Sequence, residues 1–191
     1  LATLVWLAGR YEASQVQGDL ERDTLAAAAD IRAGLARSAQ NLQALNASRR
    51  HLPTWQAEAE ALLRSNREIL RIEWRGMDLQ AVSVVESPYR LPAFGRFGRG
   101  QAQADVALAC AQARRLNQPA YSTSYYLPQP DGMGVEVMDL CLPEASGGEY
   151  TGYVVATYSL GEILASLVGP QLTRHQEVSF TEADGTRLAL H

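Results

Sequence analysis

An α+β domain is what the sequence predicts: a long N-terminal helix, then a five-stranded antiparallel sheet flanked by helices. Three observations carry this. The first 52 residues hold no proline and are rich in Ala, Leu, Arg, Gln and Glu, which favour helix. Past Asn66 the pattern changes to short β-rich runs. Those runs are joined by Gly-bearing connections that suit hairpins, with a helix between the second and third.

In the first helix, Ala28, Ile31, Leu35, Ser38, Leu42 and Leu45 recur at alternating steps of three and four, a seam along one face. At 1.5 Å per residue, some 45 residues make a stalk on the order of 65 Å long; two shorter helices broken near Gly18 or Gly34 are the alternative. The apolar start "LATLVWLA" is too short to cross a bilayer, which takes about 20 residues. It reads as the trailing edge of a transmembrane helix or signal anchor, with a short buried helix end as the alternative. "LPTWQAEAEALLRSN" restarts a helix, with Pro53 in its first turn and Trp55, Ala59, Leu62 and Leu63 on one face. "EILRIEW" is apolar and β-rich although its alternation is poor, and "LQAVSVVES" follows a turn at Gly76, which together read as a hairpin.

"SPYRLPAFGRFGRG" is a long Pro- and Gly-bearing loop of the kind that forms lids or binding loops. "QAQADVALACAQARRLN" is a helix with Val106, Leu108, Cys110 and Leu116 as its apolar positions, ended by Asn117 and Pro119. Three strands close the sheet, "AYSTSYYLP", "MGVEVMDLCLP" and "EYTGYVVATYSL", joined by "QPDG" and "EASGGE". "GEILASLVG" is the last helix, and the tail reads as two short strands around Asp184 and Gly185. The expected organisation is a stalk over 1–52, a sensor-sized domain over 53–168, and a linker with hairpin over 169–191 that starts a second, membrane-proximal domain.

Several function classes lack support. The net charge of −4 and the absence of a basic stripe argue against nucleic acid. His51, His175 and His191 are scattered and the two cysteines have no metal-ligand spacing, so neither a metal nor a cofactor is expected. Cys110 and Cys141 read as buried free thiols, with a disulfide as the alternative in an oxidising compartment. "GRFGRG" lacks the strand and the Lys of a phosphate loop. The carboxylates Glu73, Asp78, Glu136 and Asp139 have no sequence reason for perturbed acidity. No nucleophile motif is present, and no enzyme activity is expected of this fragment.

The helix and strand "ALACAQARRLNQPAYSTSYYL" and the run "GYVVATYSL" followed by "GEIL" resemble the PDC or Cache family. These are extracytoplasmic, PAS-like sensor domains of bacterial histidine kinases, chemoreceptors and cyclases, with the CHASE domain related. Gly152 matches the first position of the family's last strand and Leu160 the last. The resemblance implies a periplasmic domain anchored in the inner membrane by flanking helices outside the fragment. It further implies a small-molecule ligand, a homodimer through the N-terminal helix, and a histidine kinase as the output, with a diguanylate cyclase or chemoreceptor as alternatives. Thr157 stands where many amino-acid-binding members have Asp, and it has no carboxylate to pair with an amino group. That argues against an α-amino acid.

Alternation puts Tyr153, Val155 and Thr157 on one face of the last strand, which the family pattern assigns to the ligand. Tyr121, Thr123 and Tyr125 are read as the matching face of "AYSTSYY", and Met138 and Asp139 as their neighbours on the next strand. Asp139 and Glu136 are expected on solvated faces, with ligand contact as the alternative for both. Arg96 and Arg99 are likewise expected in solvent; folded inward, they imply a carboxylate ligand. Trp74 is expected in the core, with a pocket wall as the alternative. A ligand-free domain that dimerises or binds a periplasmic protein is the competing hypothesis.

Overall fold

The structure is a computed structural model that describes residues 2–48, 51–95, 99–129, 132–174 and 176–191. Leu1, Arg96, the middle of the "QPDG" turn and His175 lie outside the described residues, as do the side chains of the apolar run at the start.

Helix α1 (Ala2–Ser48) runs unbroken through Gly18 and Gly34. Gly34 has a packing reason instead: a Cβ there would stand 2.8 Å from a methyl of Leu167, so the missing side chain admits another helix. Of the predicted seam, Ser38, Leu42 and Leu45 are buried and Ala28, Ile31 and Leu35 half-buried, with Ala27 and Gly34 buried beside them; this face lies against the chain's own sheet and α4 (Leu160–Leu167), the helix after the sheet's last strand. Helix α2 (Leu52–Ser65) has Pro53 in its first turn and buries Trp55, Ala59 and Leu63, as a 3–4 spacing requires.

The main sheet comprises β1 (Ile69–Arg75), β2 (Ala81–Glu86), β3 (Ala120–Tyr121), β4 (Tyr125–Pro128), β5 (Gly134–Ser146) and β6 (Glu149–Ser159). Its order is β2-β1-β6-β5-β3, with β4 also pairing β5, and its ladders are antiparallel. The strand expected over "AYSTSYYLP" is thus two strands. Tyr121 pairs with Leu140 but Tyr125 with Val137, so an advance of four positions on one side matches an advance of three on the other. The poor alternation of "EILRIEW" also has its cause: β1 bulges between Ile69 and Arg71 against β6, and an extra residue in a strand breaks the period of two. Gly147 and Gly148 both take positive φ between β5 and β6, as a tight hairpin demands.

Helix α3 (Gln103–Leu116) precedes β3, and α4 (Leu160–Leu167) follows β6 directly. At that junction Ser159 accepts a bond from the Glu162 amide, ending the strand and capping the helix. The short α5 (Pro170–Thr173) leads to the two-stranded ribbon β7 (Ser179–Thr181) and β8 (Arg187–Leu190), whose Phe180 and Ala189 pack near Ala27 and Leu164.

Three layers result. On one face of the sheet α1 and α2 bury Leu42, Leu45, Trp55, Ala59 and Leu63 against Ile72, Leu140, Leu142, Val154, Ala156 and Tyr158. There Ser38 of α1 shares a buried 2.6 Å hydrogen bond with the Tyr158 hydroxyl. The opposite face is covered by α3 in one half and by the loop after β2 in the other. Of the apolar positions expected on α3, Val106 and Cys110 are buried, whereas Leu108 and Leu116 are exposed and Ala109 and Ala113 take the inner places. Leu108 is two residues from both Val106 and Cys110, which turns it away on a helix. Cys110 and Cys141 correct the expectation of free thiols: they form a disulfide, with Cα atoms 5.2 Å apart, that staples α3 to β5.

Candidate ligand-binding site

Cross-strand partners share a face of a sheet. The pairs Arg71–Thr157, Glu73–Val155, Arg75–Tyr153, Asp139–Thr157 and Cys141–Val155 therefore gather five polar side chains on the face turned away from α1. Arg71, Glu73, Arg75, Asp139 and Thr157 are all buried. Such a group is stable only if its charges and hydrogen bonds close on one another. They do so through a residue from outside the sheet.

Arg99, carried beyond the loop after β2, reaches over this face with its side chain 2% exposed. Its two terminal nitrogens donate to the two carboxylate oxygens of Asp139 at 2.7 and 2.9 Å, the fork geometry that suits a guanidinium to a carboxylate. The same nitrogens donate to the Tyr125 hydroxyl at 3.1 Å and to Thr157 Oγ1 at 2.9 Å. Nε donates to Glu73 at 3.1 and 3.2 Å. Tyr125 and Thr157 donate in turn to Asp139, at 2.8 and 2.7 Å, and the ring of Phe94 lies 4.6 Å from the Arg99 guanidinium carbon.

Glu73 is the second hub. Arg71 and Arg75 each donate Nε to it at 2.5 Å; Arg71 also pairs with Glu86, and Arg75 with the Leu79 carbonyl and Gln103. Burial pushes the Glu73 pKa up, but the guanidinium groups of Arg99, Arg71 and Arg75 outweigh it and hold the carboxyl below its ordinary value. For Arg99, burial works against the charge, and Asp139 and Glu73 reverse it, so the guanidinium is held more firmly protonated than usual. Burial first, and Asp139 second, push the Tyr125 phenol upward. Tyr125 is therefore a neutral donor.

The sequence-named residues divide accordingly. Tyr125, Asp139, Thr157 and Arg99 meet in one network. Tyr153 and Val155 share its face but lie on the α3 side, beside the disulfide. Two expectations are corrected by geometry, those for Tyr121 and Met138. Tyr121 is on the opposite face, edge-on to Tyr158 with ring centres 6.4 Å apart, because the irregularity between β3 and β4 reverses its side. Met138 also faces the stalk, as the cross-strand partner of Tyr158, and Trp74 packs there against Trp55. Thr123 is exposed and borders an outer groove of about 500 Å³ next to α3. Asp139 and Arg99 are fully buried where solvent was expected, while Glu136 is half-buried.

Glu73, Arg71 and Arg75 carried no sequence signal for a shared site; the alternation of charges in "RIEWR" was the available hint. The carboxylate that Thr157 lacks is supplied by its partner across the ladder, Asp139. Among the described residues no group of three or more His, Cys, Asp or Glu is arranged to hold a metal ion.

A long N-terminal helix, an antiparallel sheet and a helix leaving the last strand make up a fold that solved chemoreceptor ligand-binding domains share with the chain at low identity. The ligand-binding domain of the Pseudomonas aeruginosa PAO1 amino acid chemoreceptor PctC, in complex with GABA, superposes with a TM-score of 0.57 at 15% identity, over 92% of this chain and 76% of that one. The sensory domain of the Campylobacter jejuni chemoreceptor Tlp3 with isoleucine bound gives 0.56 at 10% identity, over 93% and 73%. The PctB domain of P. aeruginosa PAO1 with L-Arg gives 0.56 at 20%, over 92% and 70%. No protein-family model matches the chain, and no curated protein matches it in sequence.

Proposed function

We propose that this chain is the extracytoplasmic ligand-sensing domain of a membrane-bound bacterial receptor. Its small-molecule site is the loop-covered face at Asp139, Thr157 and Tyr125. The observation that carries the reading is a fully buried polar patch on that sheet face, in a fold shared with chemoreceptor sensor domains. The disulfide agrees with an oxidising compartment such as the periplasm. Among the described residues no helix is long and apolar enough to cross a membrane, so the anchoring helices are proposed to flank the domain. Val16, Leu20 and Leu25 are exposed on α1, which supports dimerisation along that helix. Residues 169–191 are proposed as a linker with the start of a membrane-proximal domain.

Output through a histidine kinase is the reading of the sequence. The chemoreceptor neighbours support the alternative of a methyl-accepting module. Either way a ligand shifts the receptor only by its differential affinity for two states, and α1 is the proposed lever.

Calorimetry and thermal unfolding with GABA, isoleucine, arginine, simple amines and simple carboxylates test this. A true ligand at a hundredfold its Kd adds about 2.7 kcal/mol. One observation favours a second reading, the ligand-free interaction domain: Arg99 fills the sheet face. No response to any compound, with a self-association constant that depends on α1, supports that second reading.

A further inference from the structure

We propose that Arg99 is a tethered occupant of the site, and that the external ligand which replaces it is itself a cation, a guanidinium or primary ammonium compound. This rests on the ligand-sensing reading above.

Arg99 cannot also hold an anionic ligand. Its donors are committed to Asp139, Glu73, Tyr125 and Thr157, so the carboxylate it meets on folding inward is the protein's own. An incoming anion would have to strip these partners and leave two buried carboxylates beside it, which is strongly unfavourable. With the guanidinium withdrawn, Glu73 keeps Arg71 and Arg75, while Asp139 is left with the Tyr125 and Thr157 hydroxyls and the face of Phe94 beside it. Acceptors and an aromatic face are the complement of a cation.

Charge gives the same answer. Arg71, Arg75 and Arg99 balance Glu73, Glu86 and Asp139 within one connected network. Exchanging one monocation for another preserves that balance; a neutral or anionic ligand does not. Arg71 and Arg75 are fixed in β1, between two neighbouring strands. Arg99 is outside any strand, at the edge of a short turn over Gly100–Ala102. It is the member free to exchange. A groove of about 430 Å³ bordered by Pro92, Ala93, Phe94, Arg99, Leu127 and Gln129 opens beside it. A tethered group competes at an effective concentration on the order of millimolar, so a free cation binds more weakly to the wild type than its contacts alone provide.

The test compares the full chain with Arg99→Ala and Arg99→Met, using methylguanidinium, n-propylammonium and propionate as probes at matched ionic strength. Both variants should melt below the wild type. Millimolar methylguanidinium should raise their Tm, while the wild type needs roughly tenfold more for the same response. Adding Asp139→Asn to Arg99→Met should abolish the effect. A rise with propionate and none with either cation overturns the cation proposal and leaves the sensing reading intact. So does silence in the variants while the wild type responds to some compound of the wider screen. Silence in every protein with every compound removes both. If neither variant folds, the hydrogen-exchange protection of the wild-type Arg99 Nε–H is followed during titration with methylguanidinium. Loss of protection supports exchange; unchanged protection at millimolar probe overturns it.

Discussion

Glu73 receives three guanidinium groups, and that convergence has a pH signature. Because its pKa is depressed below 4.5 in the folded chain, the stability it contributes is fully present above that value. It is lost as pH falls from there through the lower folded pKa. Glu73→Gln should flatten this acid limb in urea midpoints measured between neutral pH and acid, and at neutral pH should cost about 3–5 kcal/mol by stranding buried cations. Equal acid slopes in both proteins would reject the assignment. Thr157→Ala should cost about 1–2 kcal/mol, since its hydroxyl bridges Arg99 and Asp139; Thr157→Ser should restore most of it. Strand alternation revealed in advance that Thr157 points to this face, and Asp139 was visible as a carboxylate on the next strand. What stayed hidden was their burial. That depends on an arginine returning from 40 residues away to Asp139 and 58 away to Thr157, and no local pattern encodes such a closure.

At the scale of elements, β6 does two jobs with neighbouring residues. Thr157 belongs to the polar network, and Tyr158, facing the other way, bonds Ser38 of α1. If that bond couples strand to stalk, Ser38→Ala and Tyr158→Phe should be non-additive in a double-mutant cycle, by about 0.5–3 kcal/mol; strict additivity would break the link. Gly152 lies against the end of β1: a Cβ there would stand 2.4 Å from the Arg75 carbonyl oxygen. Gly152→Ala must push the two strands apart, and an unfolding midpoint lower by about 1–3 kcal/mol is expected. The long helix, the hairpins and the strand-to-helix junction were legible because each has a local period or a turn residue. The division of "AYSTSYYLP" was not. A one-residue slip leaves no trace in composition, yet it sent Tyr121 to the stalk and Tyr125 to the network.

For the whole molecule, the sheet separates an apolar layer against the stalk from a polar layer beneath the loop and α3, and the disulfide spans the second. Replacing both Cys110 and Cys141 by Ala should lower stability by about 2–4 kcal/mol, and a reductant should lower the wild-type Tm in the same direction. Alkylation of both thiols in the denatured, unreduced protein would show that the sulfurs are not joined. The two cysteines could be counted in the sequence, but their pairing depends on the register that sets α3 over β5. Cys141 stands two residues from Asp139 on the same face. The site is thus a vice with one jaw welded and one jaw sliding: α3 is tied covalently beside Asp139, whereas the side that brings Arg99 is held by noncovalent contacts, the ion pairs of Arg99 and the packing of Ala93, Phe94 and Ala102. If a ligand displaces Arg99 as proposed, the sliding jaw and β6 are the parts expected to move. A reducing environment would loosen the fixed jaw, making the oxidation state of one bond the calibration of the proposed response.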